Sequence, residues 1–283
     1  MTRDKNIGVL ATLLSMISIQ GGASFAKFIF PLLGSTGTCA LRVCLAAALL
    51  FGVNRPKIFA LSGREWLYTA LYGISLGCMN LLFYHAIRRI PLGIAVAVEF
   101  IGPLVFAMLQ SRSLLDFVWA VIAGTGILLI VPWHNTGIDP IGLLFAMGAG
   151  LFWACYIFWG GKISRFMAGK DAVTLGMCIA GALALPFGII SGELGSLSPK
   201  LLVLGLGVAV FSSALPYSLE FMALKKLPAK TFSILLSLEP AVGALAGLAF
   251  LGEMLVMRQW AAIACVILAS LGAAVCSPKE RLN

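Results

Sequence analysis

Charged residues are scarce in this sequence: Asp, Glu, Lys and Arg make up 11% of its 283 residues, whereas a soluble domain carries about 25%. Hydrophobic residues account for 60% of the chain, and the mean hydropathy is +1.02. A water-soluble fold of this length could not bury so much apolar surface. The apolar runs are continuous and about 20 residues long, which is typical of membrane-spanning helices rather than of barrel strands. The composition therefore predicts an all-α polytopic membrane protein.

The sequence also lacks the motifs of several enzyme classes. It contains no Walker motif, no GxSxG and no HExxH, which argues against an ATP-driven pump and a membrane hydrolase. Its seven cysteines all fall within apolar runs without CxxC or Cys/His spacing, so we expect small buried side chains rather than metal ligands. We therefore expect no enzymatic activity, no metal and no cofactor. Any transport would draw its energy from an ion gradient.

Basic residues outnumber acidic ones by 20 to 11, which gives a net charge of +9. They lie mainly in short connections between apolar runs, so they indicate membrane topology rather than nucleic-acid binding. Ten spans are predicted, at residues 7–30, 36–53, 66–87, 91–111, 116–132, 138–160, 172–191, 200–223, 228–251 and 258–277. The basic residues favour the cytoplasmic side when both termini are placed in the cytoplasm. The sequence therefore predicts a multi-pass protein with N- and C-termini inside.

The two halves of the chain repeat one another. When residues 84–107 are aligned with residues 221–244, two prolines and a basic pair fall in register: Pro91 with Pro228, Pro103 with Pro240, and Arg88-Arg89 with Lys225-Lys226. We expect one repeat in residues 1–135, with spans 1–5, and the other in residues 136–283, with spans 6–10. Five is odd, so the second repeat enters the membrane inverted. Inverted repeats are typical of secondary transporters, whose substrate site lies near the midplane between the repeats.

Three carboxylates lie inside apolar runs: Glu99, Glu220 and Glu239. A charge at mid-bilayer costs from about 3 to over 10 kcal/mol, so such residues usually face a cavity and have a function. Pro103 and Pro240 each remove a helical hydrogen bond, which predicts a broken backbone beside a carboxylate in both repeats. A carboxyl group in a low-dielectric site can alternate between protonated and charged states. Proton antiport through Glu239 or Glu99 is the economical hypothesis.

Each of these acids also has a structural interpretation. Glu239 could form a buried pair with Arg42 or Lys27, and Glu99 could pair with Arg42 instead. Glu220 could pair with Lys225 near the cytoplasmic surface. Arg42 lies too deep in span 2 to reach a membrane surface easily, so it needs a carboxylate partner or a bound anion.

Other polar and aromatic residues could complete a site. Gln20 and Lys27 share one face of span 1 and offer an amide and a cation to a substrate carboxylate. Alternatively, Gln20 bonds another helix and Lys27 reaches the outer surface. The remaining candidates are Asn80 and Tyr84 in span 3, Tyr217 in span 8, and the aromatic pair Trp153 and Tyr156 in span 6. That pair is either packing or a cation–π wall for an ammonium group.

Several segments carry a family resemblance: SIQGGASFAK, YGISLGCMNLLFY, IPLGIAVAVEFIGPL, DFVW, ALPYSLE and SLEPA…FLGE. Together they resemble the drug/metabolite transporter superfamily with two EamA repeats, over nearly the whole chain. Within it, they are most similar to bacterial inner-membrane threonine/homoserine exporters of the RhtA type. The resemblance implies an inner-membrane protein with a central cavity between the repeats, which exports small amino acids in exchange for protons.

On that basis Glu239 and Glu99 would bind the substrate ammonium group or the coupling proton. Gln20, Asn80, Tyr84 and Tyr217 would bond its polar groups, and Lys27 or Arg42 would face its carboxylate. Two alternatives stay open. One is an exporter of aromatic amino acids or of cationic drugs and metabolites, which Trp153 and Tyr156 would suit. The other is a non-transporting membrane subunit. Either a monomer or a homodimer is compatible with the sequence.

Overall fold

The structure is a computed structural model, and it describes residues 2–56, 61–110, 115–130, 138–227, 232 and 235–276. Its helices are α1 (Thr2–Asn54), α2 (Gly63–Arg89), α3 (Leu92–Glu99), α4 (Ile101–Gln110), α5 (Leu115–Ile130), α6 (Pro140–Ile163), α7 (Gly169–Ile190), α8 (Pro199–Ala209), α9 (Leu215–Lys226), α10 (Glu239–Leu251) and α11 (Met257–Cys276). A 3-10 turn, Glu193–Ser196, follows α7, and a π-helical turn, Val210–Ala214, joins α8 to α9. No strand occurs in this described part of the chain. The predicted all-α membrane class is confirmed.

Four helical segments are long and apolar enough to cross a membrane: Lys5–Asn54, Gly63–Arg89, Pro140–Ile163 and Gly169–Ile190. Shorter apolar helical segments lie at Leu92–Phe106, Pro199–Ala214, Glu239–Leu251 and Met257–Gly272. The four long segments agree with the predicted span ends to within a few residues, and so do the starts of the segments at Leu92, Pro199 and Met257. Pro199–Ala214 ends nine residues before the predicted end of span 8, and Glu239–Leu251 covers only the second half of span 9. The count of ten spans stays a prediction, because parts of spans 5 and 9 lie outside the described residues.

Helix α1 contains two predicted spans. Its 53 residues would make a straight rod about 80 Å long, against a hydrocarbon core of about 30 Å. Gly34 divides α1 because its backbone is non-helical, with φ 66° and ψ 173°, a conformation that favours glycine. The Glu193 carboxylate also fills the space beside Gly34, since its Cδ lies 1.9 Å from the position of an added Cβ. The break falls where the sequence predicts the first connection.

The predicted interruptions beside Glu99 and Glu239 are present. Helix α3 ends at Glu99 and α4 begins at Ile101, while a turn at Ser237–Leu238 precedes α10. Phe100 lies nine residues after Pro91, and Ser237 lies nine residues after Pro228. The ends of α2 and α9 also match, because Ile90 and Leu227 are both extended (φ −126° and −116°). These parallels support the repeat, and its boundary at residues 135 and 136 stays a prediction.

Small residues let several helices approach closely around the centre of the bundle. A Cβ added at Gly93 in α3 would lie 2.4 Å from the Ala244 Cα of α10, and one at Gly102 in α4 would lie 1.9 Å from the Gly150 carbonyl oxygen of α6. These contacts hold the ends of α3 and α4 against α6 and α10. Glu99 and Glu239 are thereby held at the same helix junction.

Candidate functional site

Glu239 and Glu99 are near enough to interact electrostatically. They are buried, with 7% and 6% exposure, and Glu239 is within electrostatic range of both Glu99 and Glu220. Gln20 Nε2 of α1 donates a hydrogen bond to Glu239 Oε1 at 3.3 Å. Gln20 Oε1 is buried beside Gly243 and accepts no hydrogen bond within the described residues. The cluster therefore presents two carboxyl groups and an amide oxygen to a cation.

The two acids occupy opposite ends of their helices. Glu239 is the first residue of α10, directly before Pro240, and proline is favoured there because its missing N–H has no helical role. The positive end of a helix dipole favours a carboxylate. Glu99 is the last residue of α3, where the dipole opposes a negative charge. The two carboxyl groups are therefore electrostatically inequivalent.

A second cluster surrounds Arg42, which is 4% exposed. Its Nη1 donates to Ser212 Oγ at 3.3 Å and to Ser213 Oγ at 3.1 Å, and its Nη2 donates to Asn80 Oδ1. The guanidinium carbon lies 5.0 Å from the centre of the Tyr84 ring. Arg42, Asn80 and Tyr84, all predicted site residues, are thus brought together by α1 and α2. The structure adds Ser212 and Ser213. Ser213 shares one face of span 8 with Tyr217 and Glu220 in the sequence, but neither serine is among the predicted site residues.

The π-helical turn explains how adjacent serines reach one guanidinium. Successive residues of an α-helix point about 100° apart, and the wider turn at Val210–Ala214 changes that spacing. The Leu215 N–H bonds the Val210 carbonyl, so Phe211 would need the N–H of residue 216, which is proline. Ser18 Oγ instead donates to the Phe211 carbonyl at 2.5 Å. Pro216 was therefore the sequence signal for the two missed serines.

Comparison with known proteins identifies the family. The model of the EamA-like transporter family matches residues 140–275. The threonine/homoserine exporter RhtA of Escherichia coli is 42% identical over 274 residues, which cover 96% of this chain and 92% of that protein. The chain belongs to the EamA-like transporter family. RhtA of Salmonella typhimurium has the same identity and coverage.

More distant relatives fit this assignment. The uncharacterized transporter YwfM of Bacillus subtilis is 25% identical over 243 residues, which cover 83% of this EamA-family chain and 82% of YwfM. One crystal structure covers 97% of both chains with a TM-score of 0.58 and 15% identity. That likeness shows a shared fold alone.

Lys27 of this EamA-family transporter contacts residues outside the two clusters. Its Nζ forms an ion pair with Glu253 Oε1 and lies 3.4 Å from the Ile90 carbonyl oxygen. Glu253 Oε2 accepts the Leu92 N–H at 2.7 Å. The Lys27 ammonium group is thus paired with an acid of the second predicted repeat. The role of Lys27 in substrate binding stays a prediction.

The other candidate residues make contacts of their own. Glu220 accepts a hydrogen bond from Ser15 Oγ at 3.0 Å. The side chains of Tyr217 and of Lys225, the predicted partner of Glu220, lie outside the described residues. The rings of Trp153 and Tyr156 are packed: Trp153 lies edge-on to Phe100 with centroids 5.4 Å apart, and Tyr156 stacks on Tyr72 at 4.6 Å. A cation–π role for this pair stays a prediction.

No group of His, Cys, Asp and Glu side chains in the described ranges is arranged to hold a metal ion. The geometry instead offers one cationic cluster and one anionic cluster, both assembled from the two predicted repeats. Arg42 and Asn80 come from the first repeat and the two serines from the second. Gln20 and Glu99 come from the first repeat and Glu239 from the second. Such an arrangement can bind a small zwitterion.

Proposed function

We propose that this EamA-family chain exports small amino acids of the threonine/homoserine type in exchange for protons. The observation that carries the proposal is the presence of two buried clusters of opposite charge, around Arg42 and around Glu239 with Glu99. A free amino acid carries one negative and one positive group. The substrate class is supported by the RhtA relatives, which are threonine/homoserine exporters with 42% identity.

Arg42 is the proposed partner of the substrate carboxylate. A guanidinium offers a rigid fork of donors that matches a carboxylate in two parallel hydrogen bonds. Asn80 holds Nη2, and the Ser212 and Ser213 hydroxyls accept from Nη1. A bound carboxylate would accept the Arg42 N–H groups that now donate to the serine hydroxyls. The serine hydroxyls would then be free to rotate and donate to the same carboxylate.

Glu239 and Glu99 are the proposed partners of the ammonium group. Two neighbouring carboxylates repel each other when both are charged, so the pair favours one bound cation. That cation can be a proton or the substrate ammonium, and binding of one would exclude the other. This competition provides the coupling that an antiporter needs.

Gln20 would contribute to substrate orientation. Its Nε2 fixes Glu239, while its Oε1 has no hydrogen-bond donor among the described residues. A buried polar atom without a partner is unfavourable, and a substrate ammonium or hydroxyl group would supply the missing donor. Gly243 lies beside Oε1, since an added Cβ would lie 3.5 Å from that oxygen.

We further propose that the protein lies in the bacterial inner membrane with both termini in the cytoplasm. The distribution of lysine and arginine among the connections supports this orientation. The partners would then be the amino acid, protons and membrane lipid. A single chain would suffice for transport, since the proposed site residues all belong to it.

The function is tested by counterflow in proteoliposomes. Vesicles loaded with unlabelled threonine should accumulate labelled threonine, and external threonine or homoserine should compete. A pH-sensitive dye should report proton movement opposite to the net movement of threonine. Competition only by aromatic amino acids or organic cations would favour the alternative substrate class. Absence of counterflow with every amino acid would overturn the transport proposal.

A further inference from the structure

Three ion pairs join the two predicted repeats. Lys27 pairs with Glu253, Arg88 Nη1 lies 3.8 Å from Glu193 Oε1, and Arg89 Nη1 lies 2.7 Å from Asp139 Oδ2. In each pair the cation belongs to residues 1–135 and the acid to residues 136–283. None of these three acids has a place in the proposed substrate site.

The three pairs gather around the end of α2. Arg88 and Arg89 are its last residues, and Lys27 Nζ reaches the next carbonyl, that of Ile90, at 3.4 Å. In the proposed orientation, α2 ends at the outer face of the membrane. The ion pairs therefore lie together at the outer end of the bundle.

Each acid is also held by a backbone N–H through its second oxygen. Glu253 Oε2 accepts from Leu92 N at 2.7 Å, Glu193 Oε2 accepts from Gly37 N at 2.6 Å, and Asp139 Oδ1 accepts from Ile141 N at 2.9 Å. For Glu253 and Glu193 this second contact also crosses between the repeats. Glu253 and Glu193 therefore each join the two predicted repeats at two points.

The apolar residues beside the ion pairs are buried. Ile87, Ile90 and Leu92 are 0%, 2% and 0% exposed, so the helices are tightly packed beside these pairs. Ser24 is also buried, and it lies between Gln20 and Lys27 on one face of α1 with its Oγ bonded to the Gln20 carbonyl at 2.9 Å. This face leads from the proposed site towards the Lys27–Glu253 pair.

We propose that these three ion pairs are the outer gate of the transporter, with Glu253 as its central residue. The inference rests on the proposed transport function, since substrate can leave on the outer side only when the gate opens. The Lys27–Glu253 pair dominates because its side chains are the most buried, at 22% and 14% exposure, whereas Arg88 and Arg89 are 55% and 42% exposed. Solvent screens exposed pairs strongly.

The gate is tested by the accessibility of a reporter cysteine, without any substrate. Ser24→Cys is labelled with a membrane-impermeant maleimide from outside intact cells, and the same chain without Ser24→Cys gives the background from native cysteines. Lys27→Gln and Glu253→Gln should each raise the labelling rate about fivefold to tenfold, the effect expected for losing a partly buried pair. The double variant should be no faster than the faster single variant, because each single change leaves a charge without its partner.

The matched control is Lys200→Gln. Lys200 is exposed at the same end of the bundle, so this variant removes a cation without touching the three pairs and should leave labelling unchanged. Unchanged labelling in Glu253→Gln would overturn the gate. Faster labelling in inverted vesicles as well as in intact cells would also overturn it, because that result indicates a loosened fold. Labelling reports the gate even if the substrate or the coupling ion has been assigned wrongly, so the two proposals fail separately.

Discussion

Replacement of Glu239 by glutamine tests the anionic cluster directly. The change keeps the shape of the side chain and removes its charge. In the parent chain Glu239 is 7% exposed and accepts from Gln20 Nε2 at 3.3 Å. In Glu239→Gln the Gln20 contact can persist between two amides, so the principal loss is the attraction for the substrate ammonium group.

The size of the effect follows from the burial of the site. Loss of one partner of a buried, charge-assisted contact costs about 2–4 kcal/mol. At 1.4 kcal/mol per factor of ten, exchange at low substrate concentration should fall about 30-fold to about 1000-fold. Folding should not suffer, because the change removes one of several neighbouring buried carboxylates. The melting temperature of the purified protein should be unchanged or higher.

The assay is threonine counterflow in proteoliposomes, normalised to the amount of folded protein. Glu65→Gln is the control, since Glu65 is also a glutamate but lies in the first turn of α2, where its carboxylate accepts from the Ser62 N–H at 2.7 Å. We expect less than a fivefold loss in the control, as for a single hydrogen bond of about 1 kcal/mol. Normal exchange in Glu239→Gln, or equal losses in both variants, would refute the assignment of Glu239 to the ammonium group.

Three further outcomes are expected. Arg42→Lys keeps the charge but loses the fork of donors, so the threonine concentration for half-maximal exchange should rise at least about tenfold; an unchanged value in counterflow would place the carboxylate elsewhere. Gly102→Ala should destabilise the protein by several kcal/mol, since its Cβ would lie 1.9 Å from a carbonyl oxygen. Gly52→Ala, with open space around it, should be neutral or stabilising by about 0.5–1 kcal/mol. Thermal unfolding in detergent compares the two variants. Trp153→Phe should leave threonine exchange within about twofold if the ring only packs on Phe100; a large selective loss of binding of aromatic compounds would support the cation–π wall.

The sequence was informative wherever the physical cause is local. Continuous apolar runs of the right length predict membrane helices because the bilayer has a fixed thickness. Pro103 and Pro240 predict the interrupted backbone because a proline cannot donate the helical hydrogen bond. The internal repeat then relates Glu99 to the broken segment beside Glu239, since related segments occupy related positions in an inverted pair.

The partners of the charged side chains were not readable from the sequence. Lys27 has the spacing to share a face with Gln20, yet it pairs with Glu253, which is 226 residues away. Arg42 was expected to need a carboxylate or an anion, and the structure gives it Asn80 and two adjacent serines presented by a π-helical turn. Pro216 indicated a backbone irregularity but not its direction.

The sequence alone therefore determined the class of protein and which acids lie inside apolar runs, and it predicted the repeat, because composition, periodicity and proline act over one or two helical turns. Tertiary structure decided which residues contact those acids and which charged side chains form ion pairs. Those contacts depend on how separate helices rotate and approach, at glycines such as Gly93 and Gly102. Helix rotation is set by packing between distant segments, so no local pattern encodes it.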